Sequence, residues 1–159
     1  DGLIAWGNGS NEVRAVRIQN GIGLTGGGKL AGTFSPAVCV DGAANAIVTA
    51  AGTGATAARH TLAGGFAPFE VLGASTSAVP VVCDIDGNAL AVVANPNILR
   101  AHRFRASTLM WGATPATIDN MTGVIQILST VAIDGSGVIT AVWGQFDGMR
   151  YNMYFNRFE

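Results

Sequence analysis

The feature that most constrains this 159-residue chain is a pattern that returns at a nearly fixed interval. Pro36 and Pro80 lie 44 residues apart, and so do Cys39 and Cys83. An interval of roughly 20 to 50 residues is typical of repeat architectures, in which each unit packs only against its neighbours. We therefore expect one domain, residues 1–159, divided into four copies of a unit: 1–35, 36–79, 80–125 and 126–159.

The last copy shows most clearly what a unit contains. Residues 131–133, 138–143 and 151–158 are β-prone runs, and they are separated by the turn sequences Asp134-Gly135-Ser136-Gly137 and Asp147-Gly148. The two middle copies have four such runs, whereas the first lacks a leading run and the last a closing one. With 22 glycines for tight turns, the chain is predicted to be almost entirely β.

An arginine followed by an aliphatic or ring residue ends the third strand of every copy. These marker arginines are Arg17, Arg59, Arg103 and Arg157, at steps of 42, 44 and 54 residues. The longer last step indicates an insertion, and the composition of residues 115–123 predicts an extended surface loop there. A tryptophan marks the second strand of the outer copies, Trp6 and Trp143. The middle copies have smaller residues in its place, Ala50 or Ala51 and Val93 or Ala94.

The full pattern reads Pro-x-Val-x-x-Asp-Gly-x-Asn/Gly-x-Ala-x-Val-Trp, then Asp-Gly, then Arg-Tyr-Asn-Ile/Met-Tyr-x-x-Arg-Tyr/Phe. It resembles the repeats of bacterial secreted β-propeller-like proteins, most closely over residues 134–158. The resemblance implies an array of four-stranded blades, about 3.5 blades per chain, in an extracellular or secreted protein. A β-trefoil, with three units of similar length, is the alternative fold.

Charge and hydropathy exclude several classes of partner. The net charge is −1, and the nine basic residues form no cluster, so no nucleic-acid footprint is present. No apolar run reaches the roughly 18 to 20 residues of a membrane helix, so no membrane insertion is expected. An open array exposes strand edges and a sheet face, which predicts a homo-oligomer or association with other copies of the repeat. The chain also opens on turn chemistry, as a processed or excised segment would.

The sequence contains no motif for nucleophilic catalysis and indicates no cofactor, so a non-catalytic binding or assembly module is favoured over an enzyme. A carbohydrate-binding propeller lectin is the first alternative, because an indole ring stacks on sugars and an arginine orients them. A polysaccharide-acting enzyme is the second. The residues that would carry glycan binding are Trp6, Arg17, Trp143, Arg150, Tyr154 and Arg157.

Asp84, Asp86 and Asn88 are weak candidates for binding calcium. Asp84 and Asp86 flank Ile85, so they are expected to share one face of a strand. Asp86 also begins a turn, in the place that Asp41 and Asp134 take in other copies, where an aspartate bonds its own backbone.

His60 and His102 lie at nearly equivalent places in their third strands, and a metal or acid–base pair there would have no third ligand of characteristic spacing. Cys39 and Cys83 are predicted to occupy equivalent positions in neighbouring units. Equivalent positions should hold their Cα atoms farther apart than the roughly 7 Å that a disulfide allows, so two free thiols are expected.

Overall fold

The computed structural model describes residues 2–8, 12–20, 22–23, 29–31, 34–61, 64–75, 77–95, 98–119 and 130–159. Within these ranges the chain forms seventeen β-strands and no helix, which confirms the all-β prediction. The same ranges therefore hold no helix with the length and apolar character to cross a membrane.

The strands form four small antiparallel sheets, lettered A to D in chain order. Sheet A contains β1 (Gly2–Asn8), β2 (Glu12–Gln19), β3 (Ile22–Gly23) and β4 (Lys29–Ala31). Sheet B contains β5 (Phe34–Val40), β6 (Ala46–Ala51), β7 (Ala55–Thr61), β8 (Gly65–Phe66) and β9 (Glu70–Gly73). Sheet C contains β10 (Val81–Cys83), β11 (Ala89–Asn95), β12 (Ile98–Arg105), β13 (Met110–Trp111) and β14 (Ala116–Thr117). Sheet D contains β15 (Thr130–Ile133), β16 (Ile139–Phe146) and β17 (Tyr151–Phe158).

The outer edge of sheets B and C is divided between two short strands rather than formed by one continuous fourth strand. Both β8 and β9 pair with β7, and both β13 and β14 pair with β12. Pro68 lies between the first pair and Pro115 between the second. Because proline has no backbone N–H to donate, it interrupts a strand ladder at these points.

The sheets pack face to face in chain order, with one apolar layer between each pair of neighbours. The layer between sheets A and B contains Leu3, Val13, Ala15, Ala46, Val48, Ala50 and Ala58. The layer between B and C contains Ile47, Ala51, Ala55, Val79, Val81, Ala89, Ala91, Val93 and Phe104. The layer between C and D contains Leu90, Val92, Ala94, Leu99, Ala101, Ile118, Ala141 and Trp143.

The predicted surface loop at 115–123 is partly wrong. Ala116–Thr117 forms β14, and the next residue, Ile118, is buried in the layer between sheets C and D. The N–H of Ile118 donates to the carbonyl oxygen of Leu99 at 3.0 Å, which fixes the segment against β12. Residues 120–123 of the predicted loop lie outside the described residues.

An aspartate closes the turn between the first and second strands in sheets B, C and D. The backbone N–H groups of Asp41, Asp84 and Asp134 each donate to the carbonyl four residues later, at 2.9, 2.9 and 3.0 Å. The equivalent residue in sheet C is thus Asp84. The sequence-based prediction that Asp86 occupies this position is wrong. The prediction that Asp84 and Asp86 share a strand face is also wrong, because β10 ends at Cys83 and Asp86 lies exposed in the turn.

The residue three places after this aspartate adopts a left-handed backbone. Its φ is +87° at Gly87 and +86° at Gly137, where glycine carries no penalty for this conformation. Sheet B has Ala44 at the equivalent position, with φ of +61°.

Cys39 and Cys83 form a disulfide bond with Cα atoms 5.5 Å apart, so the prediction of two free thiols is wrong. The strand register gives the reason. Directly before the turn, Val40 pairs with Ala46 in sheet B, and Cys83 pairs with Ala89 in sheet C. Cys83 is therefore equivalent to Val40 and not to Cys39. Since successive residues of a strand point to opposite faces, this shift of one residue turns the two thiols towards each other across the B–C layer.

Candidate functional site

The marker arginines define which positions are equivalent in the four sheets. Arg17, Arg59, Arg103 and Arg157 pair with Leu3, Ile47, Leu90 and Thr140, respectively. The residues that lie three places after these partners therefore occupy equivalent positions in the four sheets. They are Trp6 in sheet A, Ala50 in B, Val93 in C and Trp143 in D, which resolves the two alternatives left for the middle copies.

The side of sheet A that faces away from sheet B is largely apolar, and no other sheet of the described residues covers it. This first outer face is formed by Ile4, Trp6, Val16 and Ile18, and it also carries Glu12 and Arg14, which form an ion pair with 3.6 Å between Oε2 and Nη2. Trp6 is 42% exposed, whereas the equivalent Trp143 is 4% exposed because sheet C covers it. Ile4 is also exposed, although its equivalent in sheet B, Val48, is fully buried. The first outer face thus carries large apolar side chains at positions that are buried in the sheets with a neighbour on that side.

The side of sheet D that faces away from sheet C is the second uncovered surface. This last outer face is formed by Val142, Phe146, Tyr151, Met153 and Phe155. Phe155 lies two places before its marker arginine and is 71% exposed. The equivalent residues of the other sheets are all buried alanines, Ala15, Ala57 and Ala101, with at most 3% exposed.

The structure does not bring the six predicted glycan-binding residues together. Trp143 packs inside the C–D layer, where its ring is stacked on Tyr154 at 6.1 Å and its Nε1 donates to Gln145 Oε1 at 3.4 Å. Arg157 lies exposed on the opposite side of the same sheet. Arg150 lies in the turn before β17, where its Nε is 3.9 Å from Asp147 Oδ2.

The other two predicted residues belong to sheet A and point in opposite directions. Trp6 lies on the first outer face, whereas Arg17 is buried and reaches into sheet B. There its guanidinium donates to the carbonyl oxygen of Ala44, and its Nη1 lies 3.5 Å from Nδ1 of His60. Burial, and secondly the charge of Arg17, lower the pKa of His60. In the C–D layer, Arg103 also donates to a main-chain oxygen of the next sheet, that of Glu159, at 2.8 Å.

The two histidines lie in different layers, so they form no pair. His60 is next to its marker arginine and equivalent to Phe104, whereas His102 is equivalent to Ala58. Two of the three weak calcium candidates, Asp84 and Asn88, bond each other in the turn. Both carboxylate oxygens of Asp84 accept hydrogen bonds from Asn88 at 2.8 Å. The described residues include no group of three His, Cys, Asp or Glu side chains that could hold a metal ion.

A cleft of about 310 Å³ opens between the outer strands of sheets B and C. Its polar lining comes from Glu70 on β9 and from Arg100 and His102 on β12, and the ring of Trp111 on β13 forms an apolar wall. Arg100 and His102 are two residues apart on one strand, so they share the face that points towards sheet B. We name this space the B–C cleft.

The polar side chains of the B–C cleft have no hydrogen-bond or ion-pair partner among the described residues. Across the described residues, no ion pair joins Glu70 or Arg100 to any other group. His102 is 5% exposed, and its imidazole makes no hydrogen bond within the described part of the chain. Burial, and secondly the charge of Arg100, lower the pKa of His102, so the ring is neutral at pH 7.

Two further hollows flank the same sheets. A smaller one, of about 100 Å³, shares Glu70 and Trp111 with the B–C cleft and adds Arg59. A larger one, of about 380 Å³, lies between sheets C and D. Its lining includes Asp84 and Arg103, which are already bonded to Asn88 and to the Glu159 carbonyl. Arg105, Ser107 and Glu159 also line it, and no hydrogen bond or ion pair within the described residues engages their side chains, so the two spaces are comparable in free polar groups.

The sequence reasoning did not find the B–C cleft, because its residues come from two units and have no characteristic spacing. One signal was present: the alternation Arg100-x-His102-x-Phe104 places a cation, an imidazole and a ring on one strand face.

No known protein-family model matches the chain, and no curated protein is similar enough to count as a relative. Among solved structures, one described as a crystal structure of a nidogen/laminin complex is similar over 95% of this chain and 76% of that chain. The two are 11% identical, with a TM-score of 0.36. A likeness of this degree carries no argument about function.

Proposed function

We propose that the chain is a non-catalytic assembly module of β-propeller type, which associates by packing the last outer face of one copy on the first outer face of another. The observation that carries this proposal is the contrast at equivalent positions. Phe155 is 71% exposed where the other three sheets bury an alanine, and Trp6 is 42% exposed where Trp143 is buried. Each outer face is equivalent to a face that another sheet covers elsewhere in the chain.

The pairing of these two faces repeats an arrangement already present three times. In the A–B, B–C and C–D layers, the face of one sheet that carries its marker arginine packs on the opposite face of the next sheet. The last outer face carries Arg157, and the first outer face is of the opposite kind. A second copy therefore supplies the missing neighbour for both faces.

The apolar side chains on these faces provide the driving force. Burying a large apolar side chain stabilises an association by roughly 1.5 to 3 kcal/mol relative to its exposed state. Phe155, Met153 and Tyr151 on one face, and Trp6 and Ile4 on the other, are all among the exposed large apolar residues. An apolar patch of this kind on a protein surface is typical of an interaction site.

The disulfide between Cys39 and Cys83 is compatible with an extracellular protein, because structural disulfides persist in oxidising environments. We place the module there as part of the same proposal.

Light scattering coupled to size-exclusion chromatography tests the association. The wild-type chain should show a mass above 16.2 kDa that increases with concentration. Phe155→Asp places a charge on the last outer face and should return the mass to that of one chain. Phe69→Asp is the matched control, because Phe69 is also exposed but lies between β8 and β9, away from both outer faces.

A mixture of two variants tests the pairing of unlike faces. Trp6→Asp blocks only the first outer face, and Phe155→Asp blocks only the last. Each variant alone should be a monomer, and the mixture should form one-to-one pairs through the two intact faces. A wild-type chain that stays at the mass of one copy at every concentration, or a Phe155→Asp variant that still associates, would contradict the proposal.

A further inference from the structure

We propose that the B–C cleft binds a neutral sugar residue. This site is separate from the outer faces of the assembly module, and none of its residues belongs to the set that the sequence indicated for glycan binding. The proposal rests on the free polar groups of the cleft, its balance of charge, its apolar wall and its size.

The free polar groups provide the first argument. Glu70, Arg100 and His102 line one cleft, yet no hydrogen bond or ion pair within the described residues engages their side chains. The imidazole nitrogens of His102 are not among the fully buried polar atoms that lack a partner, so they still reach solvent, and a ligand hydroxyl can replace the water there. The 5% exposure of His102 leaves the cleft as the direction from which such a group approaches.

The balance of charge indicates a neutral ligand. The carboxylate of Glu70 and the guanidinium of Arg100 carry opposite charges, and the imidazole of His102 is uncharged. The lining therefore has no net charge to favour an anion or a cation. Hydroxyl groups, which both donate and accept, match a set in which Arg100 donates, Glu70 accepts and His102 does one of each.

The ring of Trp111 gives the third argument. It is half-buried, tilted at 59° against Phe104 with centroids 5.5 Å apart, and it lines the cleft beside the polar groups. An indole held in place by a core aromatic presents a fixed apolar surface. A pyranose has one face of C–H groups and a rim of hydroxyls, so it can pack on Trp111 while its hydroxyls reach Arg100 and Glu70.

The size of the cleft limits the ligand. At about 310 Å³ it lies at the lower end of the roughly 300 to 1,000 Å³ typical of small-molecule sites. It therefore accommodates one sugar ring, and Glu70 and Arg100 are exposed, so the ring can belong to a longer glycan that continues into solvent.

Isothermal titration calorimetry on the whole chain tests the proposal, with D-glucose, D-galactose, D-mannose, L-fucose and N-acetyl-D-glucosamine as separate probes. At least one of these sugars should bind saturably. Glu70→Gln and Arg100→Gln should each weaken that binding by about tenfold or more, as expected for a lost hydrogen bond to a charged group. Arg150→Gln is the matched control, since this exposed arginine lies in a turn of sheet D away from the cleft.

The variants are exposed surface changes, and an unchanged unfolding midpoint in urea verifies that they fold. The proposal is overturned if no probe binds saturably, or if the folded Glu70→Gln and Arg100→Gln variants bind as tightly as the wild type. Glycine, a zwitterion, serves as an additional probe: saturable binding of glycine without any sugar binding also overturns it. Phe155→Asp keeps the cleft and should bind sugar normally, so failure of the assembly proposal leaves this test intact.

Discussion

Replacement of Ala44 by glycine should stabilise the fold, because this position has the left-handed backbone that sheets C and D give to glycine. Its φ is +61°, against +87° at Gly87 and +86° at Gly137. A residue with a Cβ atom pays about 1–2 kcal/mol for this conformation. Glycine avoids that cost but has more freedom in the unfolded chain, which subtracts about 0.4–1 kcal/mol. The net gain is therefore about 0.5–1 kcal/mol.

The reverse substitutions provide matched controls. A Cβ added at Gly137 meets no atom within 4 Å, so Gly137→Ala isolates the backbone cost and should destabilise by about 0.5–1 kcal/mol. A Cβ added at Gly87 lies 2.8 Å from Oδ2 of Asp41, so Gly87→Ala should cost more. The order of stability should thus be Ala44→Gly, wild type, Gly137→Ala and Gly87→Ala.

Equilibrium unfolding in urea, followed by tryptophan fluorescence, measures this order through the midpoint at constant slope. Fluorescence suits the assay because Trp143 is buried in the folded chain. Ala44→Gly should leave the contact from Arg17 intact, since that contact uses the backbone carbonyl. A midpoint for Ala44→Gly at or below that of the wild type, together with a neutral Gly137→Ala, would refute the reasoning from backbone conformation.

Two more predictions concern the disulfide and an acidic turn. Replacing both Cys39 and Cys83 by alanine should lower the free energy of unfolding by about 4 kcal/mol, the loop-closure value for a separation of 44 residues; thiol titration of the unfolded, unreduced wild type should find no free thiol, and finding two would contradict the bond. Hydrogen bonds from Ser136 and then Val138 hold the pKa of Asp134 below its ordinary value of 3.8. The carboxylate therefore stabilises the fold above that value and loses this effect as pH falls through the lowered pKa, so Asp134→Asn should show a flatter stability profile than the wild type in urea titrations below about pH 4. Parallel profiles for the two proteins would contradict this assignment.

The sequence predicts the all-β character well, because turn glycines and aspartates separate short apolar runs along the chain. It fails where a shift of one residue changes the face of the sheet on which a side chain lies. Arg59 and Arg103 are equivalent and 44 residues apart, and the same spacing made Cys39 and Cys83 look equivalent. Between equivalent paired positions the chain is one residue longer in sheet C, because Val93 pairs with Arg100, seven places on, whereas Ala50 pairs with Thr56, six places on. Equivalent positions that precede the extra residue are therefore 43 residues apart. Two residues 44 apart in that region are not equivalent, and their side chains point to opposite faces of their sheets.

The candidate sites were less accessible from the sequence than the fold. Burial of Trp143 and exposure of Trp6 follow from which sheets have neighbours, and the same pattern surrounds both residues. The B–C cleft depends on how closely the outer strands of two sheets approach, which spacing within either unit does not encode. Pattern identifies equivalent residues, whereas packing decides which of them are free to bind.

The cysteines also bear on how the repeat arose. Copying a unit with a cysteine at one position would place every resulting thiol on the same side of its sheet, all directed the same way along the array. Cys39 and Cys83 point in opposite directions, so they cannot be duplicates of one ancestral cysteine. The bond between them joins sheets B and C covalently and distinguishes this pair of units from the other two, which contain no cysteine.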